Sequence, residues 1–170
     1  MPTTVKQPPH NLEAEEAVVA SLLVLGEGFQ EHPVLTPADF HNEKLAWIYE
    51  AIYGLGMAGK PHNEVIVAQE LNRLDRLEKV GGMDYLTKLI TGCPDPFLID
   101  HYVIIVKELS LRRQLISLAG SLAREAHDES MNIDSVLAHN EGAFNRICTE
   151  WSRFLHEEDD DREIANRKVL

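Results

Sequence analysis

The apolar residues of this chain recur every three or four positions rather than every second one. The first such run follows the segment PPHN and places four apolar side chains at helical spacing: Leu12, Val18, Leu22 and Leu25. Asn11 is a suitable N-cap for this helix, and Gly26 ends the run. Because Val and Ile residues keep helical intervals throughout, the sequence predicts an all-α fold without a convincing strand.

Capping residues divide the first part of the chain into short helices. The segment TPADF, which begins at Thr36, is a compact helix start, with proline at the first helical position. Asn42 and Asn63 are predicted to cap two further helices. The breaker TGCPDP closes this part, so residues 1–96 are predicted to form a small globular helical domain.

Two adjacent glycines interrupt the segment LEKVGGMDYLTKLI within this domain. We expect Gly81 and Gly82 to allow a tight turn in which one of them has a positive φ, a conformation that a residue with a β-carbon avoids. The alternative is that the pair is only a flexible joint between two helical pieces.

Beyond the breaker the pattern describes two long helices. The first runs uninterrupted over about residues 97–127 and would be ~45 Å long. DESMN forms a turn, and a second helix returns to about residue 155. The two are predicted to form a long antiparallel helical hairpin over residues 97–155. Residues 156–170, HEEDDDREIANRKVL, are interpreted as an acidic linker or tail.

This hairpin carries more apolar surface than two helices can bury between themselves. Leu109 lies on one face of the first helix, whereas Leu118 points elsewhere. Either the chain's own N-terminal domain or a second copy of the chain covers the surplus. We favour the second copy, because so long an arm overreaches so small a domain. The predicted oligomer interface comprises Leu109, Ile116, Phe144, Ile147 and Trp151.

Composition and charge narrow the function classes. The net charge is −12, which argues against direct nucleic-acid binding because phosphate contact requires clustered Lys and Arg. Cys93 and Cys148 match no metal or redox spacing and are interpreted as reduced thiols of a cytoplasmic protein. No apolar run reaches the length of a membrane helix, and MPTTVKQPP does not resemble a secretion signal.

The sequence contains no motif that would carry chemistry. Its histidines form no H-E-x-x-H motif and no Cys/His cluster, and no glycine pair is followed by G-K-S/T to hold ATP phosphates. The adjacent carboxylates Glu15 and Glu16 diverge on a helix and are interpreted as ordinary solvated residues. We therefore expect no catalytic, metal or cofactor site in this chain, and an assembly module fits better than an enzyme.

Five segments of the chain follow one another in a diagnostic order. They are PPHNLEAEEAVVASLL (8–23), ADFHNEKLAWIYEAIYGLGMAGKP (38–61), NEVIVAQELNR (63–73), LEKVGGMDYLTKLI (77–90) and IDHYVIIVKELSLRRQLISLAGSLAREAHD (99–128). Together they make roughly residues 8–155 resemble the N-terminal domain of bacterial replicative DNA helicases of the DnaB type.

The resemblance implies a collar function in DNA replication. In this family a small helical domain and a helical hairpin precede a RecA-like ATPase motor, and six copies assemble as a trimer of dimers. ATP and Mg²⁺ belong to that motor, which is absent from these 170 residues. The chain is then either the N-terminal fragment of a helicase or a free-standing relative, such as a decoy or loader that acts on a full-length helicase.

The resemblance also implies a partner, since the collar of the family is where DnaG-type primase docks. On the present sequence we expect the primase to contact Tyr85, Ile116 and Leu122. Tyrosine is a frequent interface anchor because it buries a large ring while keeping a polar tip. The alternative is that all three are core or dimer contacts. Neither nucleic acid nor membrane is an expected partner.

Overall fold

The computed structural model describes residues 7–26 and 35–168, with side chains as far as residue 156. Within those ranges no residue lies in a strand, which confirms the all-α prediction. The chain divides into two compact units. The first unit is His10–Ser110, and the second, here called the hairpin unit, takes in the described residues on either side of that range.

Short helices make up most of the first unit. They are α1 (Leu12–Leu25), α2 (Glu43–Met57), α3 (Glu64–Arg73), α4 (Leu77–Val80) and α5 (Gly82–Thr91), with 3₁₀ turns at Pro37–Asp39 and Pro96–Leu98. The long helix α6 (Ile99–His127) begins in this unit and continues into the next. The segment TPADF thus forms a 3₁₀ turn rather than an α-helix.

Side-chain caps fix the starts of three of these helices, as predicted. The Oδ1 atoms of Asn11, Asn42 and Asn63 accept backbone N–H groups in the first turns of α1, α2 and α3 at 3.0–3.1 Å. Each cap satisfies a donor that the helix itself leaves without a partner. The helix starts are therefore determined locally by the sequence.

The core of the first unit forms where the apolar faces of these helices meet. Its fully buried side chains include Val18 from α1, Ile48 from α2 and Leu86 from α5. Tyr49 is also buried, and its hydroxyl donates a hydrogen bond to the Leu35 carbonyl at 2.9 Å.

The first turns of α6 belong to this same core. Ile99, Val103 and Val106 are buried, so the structural division falls after Ser110. The domains predicted from the sequence (1–96, 97–155 and 156–170) place the boundary at the helix breaker instead. A helix-breaking segment in the sequence marks where the next helix starts. Packing, however, decides which unit the first turns of that helix join.

The hairpin unit contains the rest of α6 and the returning helix α7 (Ile133–Lys168). Two hydrogen bonds join the helices: Gln114 Nε2 lies 3.4 Å from Glu150 Oε2, and Asn140 Nδ2 lies 2.7 Å from Glu125 Oε2. Residue numbers rise on one helix as they fall on the other, so the hairpin is antiparallel. The backbone of α7 stays helical to Lys168, through most of the predicted tail.

Both glycines between α4 and α5 have positive φ angles, 117° at Gly81 and 70° at Gly82. The predicted tight turn is therefore present, and it uses both glycines rather than one. Only glycine adopts such angles without steric cost.

Among the described residues, no single helix combines the length and hydropathy needed to cross a membrane. One pair of helical segments, Gly82–Thr91 and Pro96–His127, has the required length and hydropathy when the two are taken together. The two segments are bent by 86° relative to each other. Such a pair is weak evidence for a membrane span, because the buried core helices of other proteins meet the same criterion.

Candidate partner-docking surfaces

Tyr85 lies on α5 and leans towards α1. Its hydroxyl donates a hydrogen bond to Glu16 Oε1 at 3.3 Å, and its ring is half-buried. Burial, and secondly the negative charge of Glu16, raise the pKa of Tyr85 to about 12. The phenol is therefore a neutral hydrogen-bond donor at physiological pH.

A groove of about 440 Å³ runs between α1 and α5 beside this tyrosine. Its lining is mixed in character and consists of Glu13, Glu16, Ala17, Ala20, Tyr85, Lys88, Leu89, Thr91, Gly92 and Pro94. The lining is net negative, because it contains the carboxylates of Glu13 and Glu16 but only one ammonium group, that of Lys88. A groove of this size and charge suits a cationic side chain carried by an apolar segment of a partner.

The other two predicted primase contacts lie in the hairpin unit, since Ile116 and Leu122 follow Ser110 on α6. Both side chains are exposed, Ile116 at 59% and Leu122 at 42%. They are therefore not core residues. Tyr85 belongs to the first unit, so the three predicted contacts divide between the two units.

None of the predicted oligomer contacts is fully buried within one chain. Phe144 and Ile116 are exposed, whereas Leu109, Ile147 and Trp151 are half-buried. The Trp151 ring stacks on the buried Phe154 with 5.3 Å between ring centroids. Each of the five thus retains apolar surface that a neighbour could cover.

Two prominent apolar side chains lie outside the predicted oligomer interface. Ile133 and Leu137 on α7 are 64% and 61% exposed, more than any of the predicted oligomer contacts. The sequence feature that could have identified them is their spacing with Phe144, because residues at this spacing share one side of a helix.

The interpretation of Glu15 as an ordinary solvated residue is wrong, whereas Glu16 is partly exposed. The Glu15 carboxylate is buried and accepts the backbone N–H groups of His41 and Asn42 at 2.9 and 3.0 Å. It thereby satisfies donors at the start of α2, where negative charge is stabilised. Glu16 is the partner of Tyr85.

The described residues contain no group of three or more His, Cys, Asp or Glu side chains placed to hold a metal ion. A buried ion pair is present instead: Lys107 Nζ lies 3.2 Å from both carboxylate oxygens of Asp39. Asp39 also accepts hydrogen bonds from the backbone N–H and the hydroxyl of Thr36. This network connects α6 to the 3₁₀ turn before α2 and has a structural role.

Comparison with known families and sequences shows which proteins share this architecture. Residues 7–108 match the family described as DnaB-like helicase N terminal domain. The chain is 35% identical over 142 residues to the replicative DNA helicase DnaC of Bacillus subtilis, covering 83% of the chain and 31% of the relative. It is 31% identical over 131 residues to the replicative DNA helicase DnaB of Geobacillus stearothermophilus, covering 76% and 29%. The chain thus spans less than a third of either relative.

Two solved structures have the same fold. The N-terminal domain of DnaB helicase from Mycobacterium tuberculosis superposes with a TM-score of 0.74 at 29% identity, over 82% of this chain and 99% of that one. A structure of a DnaB-like replicative helicase and its interactions with primase gives a TM-score of 0.66 at 27% identity, over 78% of this chain and 31% of that one. These matches confirm the predicted resemblance.

Proposed function

Because the chain belongs to the DnaB-like helicase N-terminal domain family, we propose that it is the assembly and partner-docking (collar) domain of a replicative DNA helicase. The extent of the matches carries this proposal. The chain covers 99% of a separate DnaB N-terminal domain but only 31% of the B. subtilis helicase. On this proposal, the ATPase motor belongs to the part of the helicase that lies outside these residues. We also propose that the whole protein acts in the cytoplasm.

It follows from this proposal that the chain alone hydrolyses no ATP and unwinds no DNA. Phosphoryl transfer requires a phosphate-binding loop and Mg²⁺ ligands, and the 170-residue sequence has no G-K-S/T motif. Stoichiometric, magnesium-dependent ATP binding to the chain in a calorimetric titration would contradict this expectation.

The partner that we propose is a DnaG-type primase. Support comes from the structural relative that is described with its primase interactions. The groove beside Tyr85 adds a surface of suitable chemistry, since its carboxylates Glu13 and Glu16 would attract a basic side chain of the primase. Tyr85 would supply the aromatic anchor, and Ile116 and Leu122 would supply apolar contacts on α6.

The test is binding of the cognate primase to variants of the groove. Tyr85→Ala removes the anchor and should weaken binding by roughly 30-fold or more, as expected for an interface hot spot. Tyr85→Phe keeps the ring and should retain most of the affinity. Met83→Ala is a matched control, because Met83 is exposed on the same helix and does not line the groove.

If Tyr85→Ala bound the primase with wild-type affinity, Tyr85 would not be part of the docking site. Loss of binding counts as support only if the variant keeps the wild-type melting temperature and oligomeric state, because Tyr85 also contacts Glu16.

We also propose that the chain self-associates through the hairpin. The exposed and half-buried apolar residues from Leu109 to Trp151 support this, since burying large apolar side chains is the main driving force of stable association. A dimer is the expected basic species. A trimer of dimers is expected at high concentration or in the presence of the motor.

A further inference from the structure

Two series of residues with seven-residue spacing lie opposite each other along the contact line of the hairpin, here called the seam. The series on α6 is Leu111, Leu118 and Glu125, and the series on α7 is Asn140, Ile147 and Phe154. The hydrogen bond between Asn140 and Glu125 sets their alignment. Because the helices are antiparallel, Leu118 then lies opposite Ile147, and Leu111 lies opposite Phe154.

The second bond across the hairpin, between Gln114 and Glu150, keeps this alignment to within one residue. The apolar members of the seam are also shielded from solvent. Leu111 and Phe154 are buried, whereas Leu118 and Ile147 are half-buried. A seven-residue repeat of buried positions on two helices is the pattern of a coiled-coil contact.

The remaining pair of the seam is polar. Asn140 is buried, and its Nδ2 donates hydrogen bonds to Glu125 Oε2 at 2.7 Å and to the Val136 carbonyl at 2.8 Å. The other carboxylate oxygen of Glu125 lies 3.1 Å from His139 Nδ1. Among the described residues, however, Asn140 Oδ1 has no hydrogen-bond partner. A buried amide with one unsatisfied acceptor is a poor source of stability, so the pair needs another explanation.

The apolar residues of the seam do not by themselves fix the alignment of the two helices. A shift of seven residues, about 10 Å along the helix axis, pairs Leu111 with Ile147 in one direction and Leu118 with Phe154 in the other. Both shifts place Glu125 opposite an isoleucine, which offers its carboxylate no side-chain donor. Burial of a carboxylate without a hydrogen bond is costly, so the shifted alignments are disfavoured.

We infer that Glu125 and Asn140, here called the register pair, select one alignment of α6 and α7 among those that the apolar residues permit. One polar residue in an otherwise apolar coiled-coil contact fixes its register in this way, at a cost in stability. The two residues are positioning residues for the hairpin. Any surface built from side chains of both helices depends on them, whichever partner binds there.

The turn between the helices is the competing determinant of the register. Asn132 Oδ1 accepts the Asp134 backbone N–H at 2.8 Å, and Asp128 accepts the backbone N–H and the hydroxyl of Ser130. A change of seven residues in the pairing moves the turn by only roughly three or four residues, because both helices share the shift. The experiment must therefore separate the register pair from the turn.

Replacing both members of the register pair by leucine tests the inference. Glu125→Leu/Asn140→Leu makes the seam apolar, so the helicity and the melting temperature should be retained. Its NMR spectrum should show a second set of hairpin signals at ~10% or more of the total intensity. Nuclear Overhauser contacts of Leu118 with Phe154, or of Leu111 with Ile147, would identify the shifted register. The proportion should not change on dilution, because the shift occurs within one chain.

Two control variants should keep a single set of signals. Gln114→Leu/Glu150→Leu removes the other polar pair that joins the helices and leaves the register pair in place. Glu125→Gln retains an oxygen that accepts the Asn140 amide.

Three results would overturn the inference. A single set of signals with wild-type contacts in Glu125→Leu/Asn140→Leu would assign the register to the turn. Shifted contacts of equal intensity in Gln114→Leu/Glu150→Leu would show that the register pair has no special role. Loss of helicity in Glu125→Leu/Asn140→Leu would show that the pair is required for stability instead of selecting the register.

Discussion

Gly81 shows how one residue constrains the path of the chain next to a proposed docking residue. Its φ of 117° lies in a region that side-chain-bearing residues rarely adopt, and a β-carbon there would lie 3.0 Å from Tyr85 Cβ. Such a contact is tighter than most contacts of a β-carbon, so the Tyr85 Cβ atom would have to move by a few tenths of an ångström. Turn geometry and the placement of Tyr85 are therefore coupled.

Gly81→Val should lower the free energy of unfolding by more than ~1 kcal/mol, because valine fits neither the φ angle nor the space. The measurement is denaturant unfolding followed by circular dichroism. Gly54→Ala is the control, since Gly54 is helical and a β-carbon there meets nothing within 4 Å. That variant should be neutral or slightly stabilising. Unchanged melting of both Gly81→Val and Gly82→Val would show that the turn is not strained.

Two phenols, the buried Tyr49 and the half-buried Tyr85, should make the chain sensitive to alkaline pH. Burial raises the pKa of Tyr85 from 10.0 to about 12, and that of Tyr49 is raised further. A raised pKa in the folded state contributes stability that is fully present below pH 10. This contribution is lost as the pH rises through about 12.

Denaturant unfolding at several pH values should therefore show stability falling above pH 10, with a smaller fall in Tyr85→Phe than in the wild type. A stability that is constant from pH 9 to about 12 would contradict the assigned burial of these hydroxyls.

At the scale of helices, local contacts were predictable and distant ones were not. Asn11, Asn42 and Asn63 cap helices that start within three residues of them, so a sequence pattern suffices to find them. The pairing of Tyr85 with Glu16 spans 69 positions, and that of Lys107 with Asp39 spans 68. Such pairs depend on how helices pack, which spacing along the chain does not encode.

The buried ion pair provides a prediction at this scale. Lys107→Met should cost about 3–5 kcal/mol, because it removes the ammonium group that lies 3.2 Å from the buried Asp39 carboxylate. Adding Asp39→Asn should restore part of that loss in a double-mutant cycle. The exposed pair Arg73–Glu70 is the control, and Arg73→Met should leave the unfolding midpoint unchanged. Equal effects of the Lys107 and Arg73 substitutions would show that burial does not strengthen the pair.

For the whole molecule, the sequence predicted the fold class and the long hairpin but not the unit boundary. The helix breaker before α6 is visible in the sequence, whereas the packing of Ile99, Val103 and Val106 into the first unit is not. Likewise, a surplus of apolar surface on the hairpin could be predicted, but which side chains remain exposed, such as Ile133 and Leu137, depends on the observed packing. Residues that act within a helix were found more readily than residues that act between helices.

Above all, we propose that this chain is an assembly and docking module. Light scattering after size exclusion tests it most directly, on the wild-type chain alone and mixed with its cognate primase, at concentrations on the order of 100 µM. The predicted result is a dimer or larger oligomer of the chain that elutes with the primase as a complex of higher mass. A chain that remains monomeric and elutes separately from the primase under those conditions would contradict the claim.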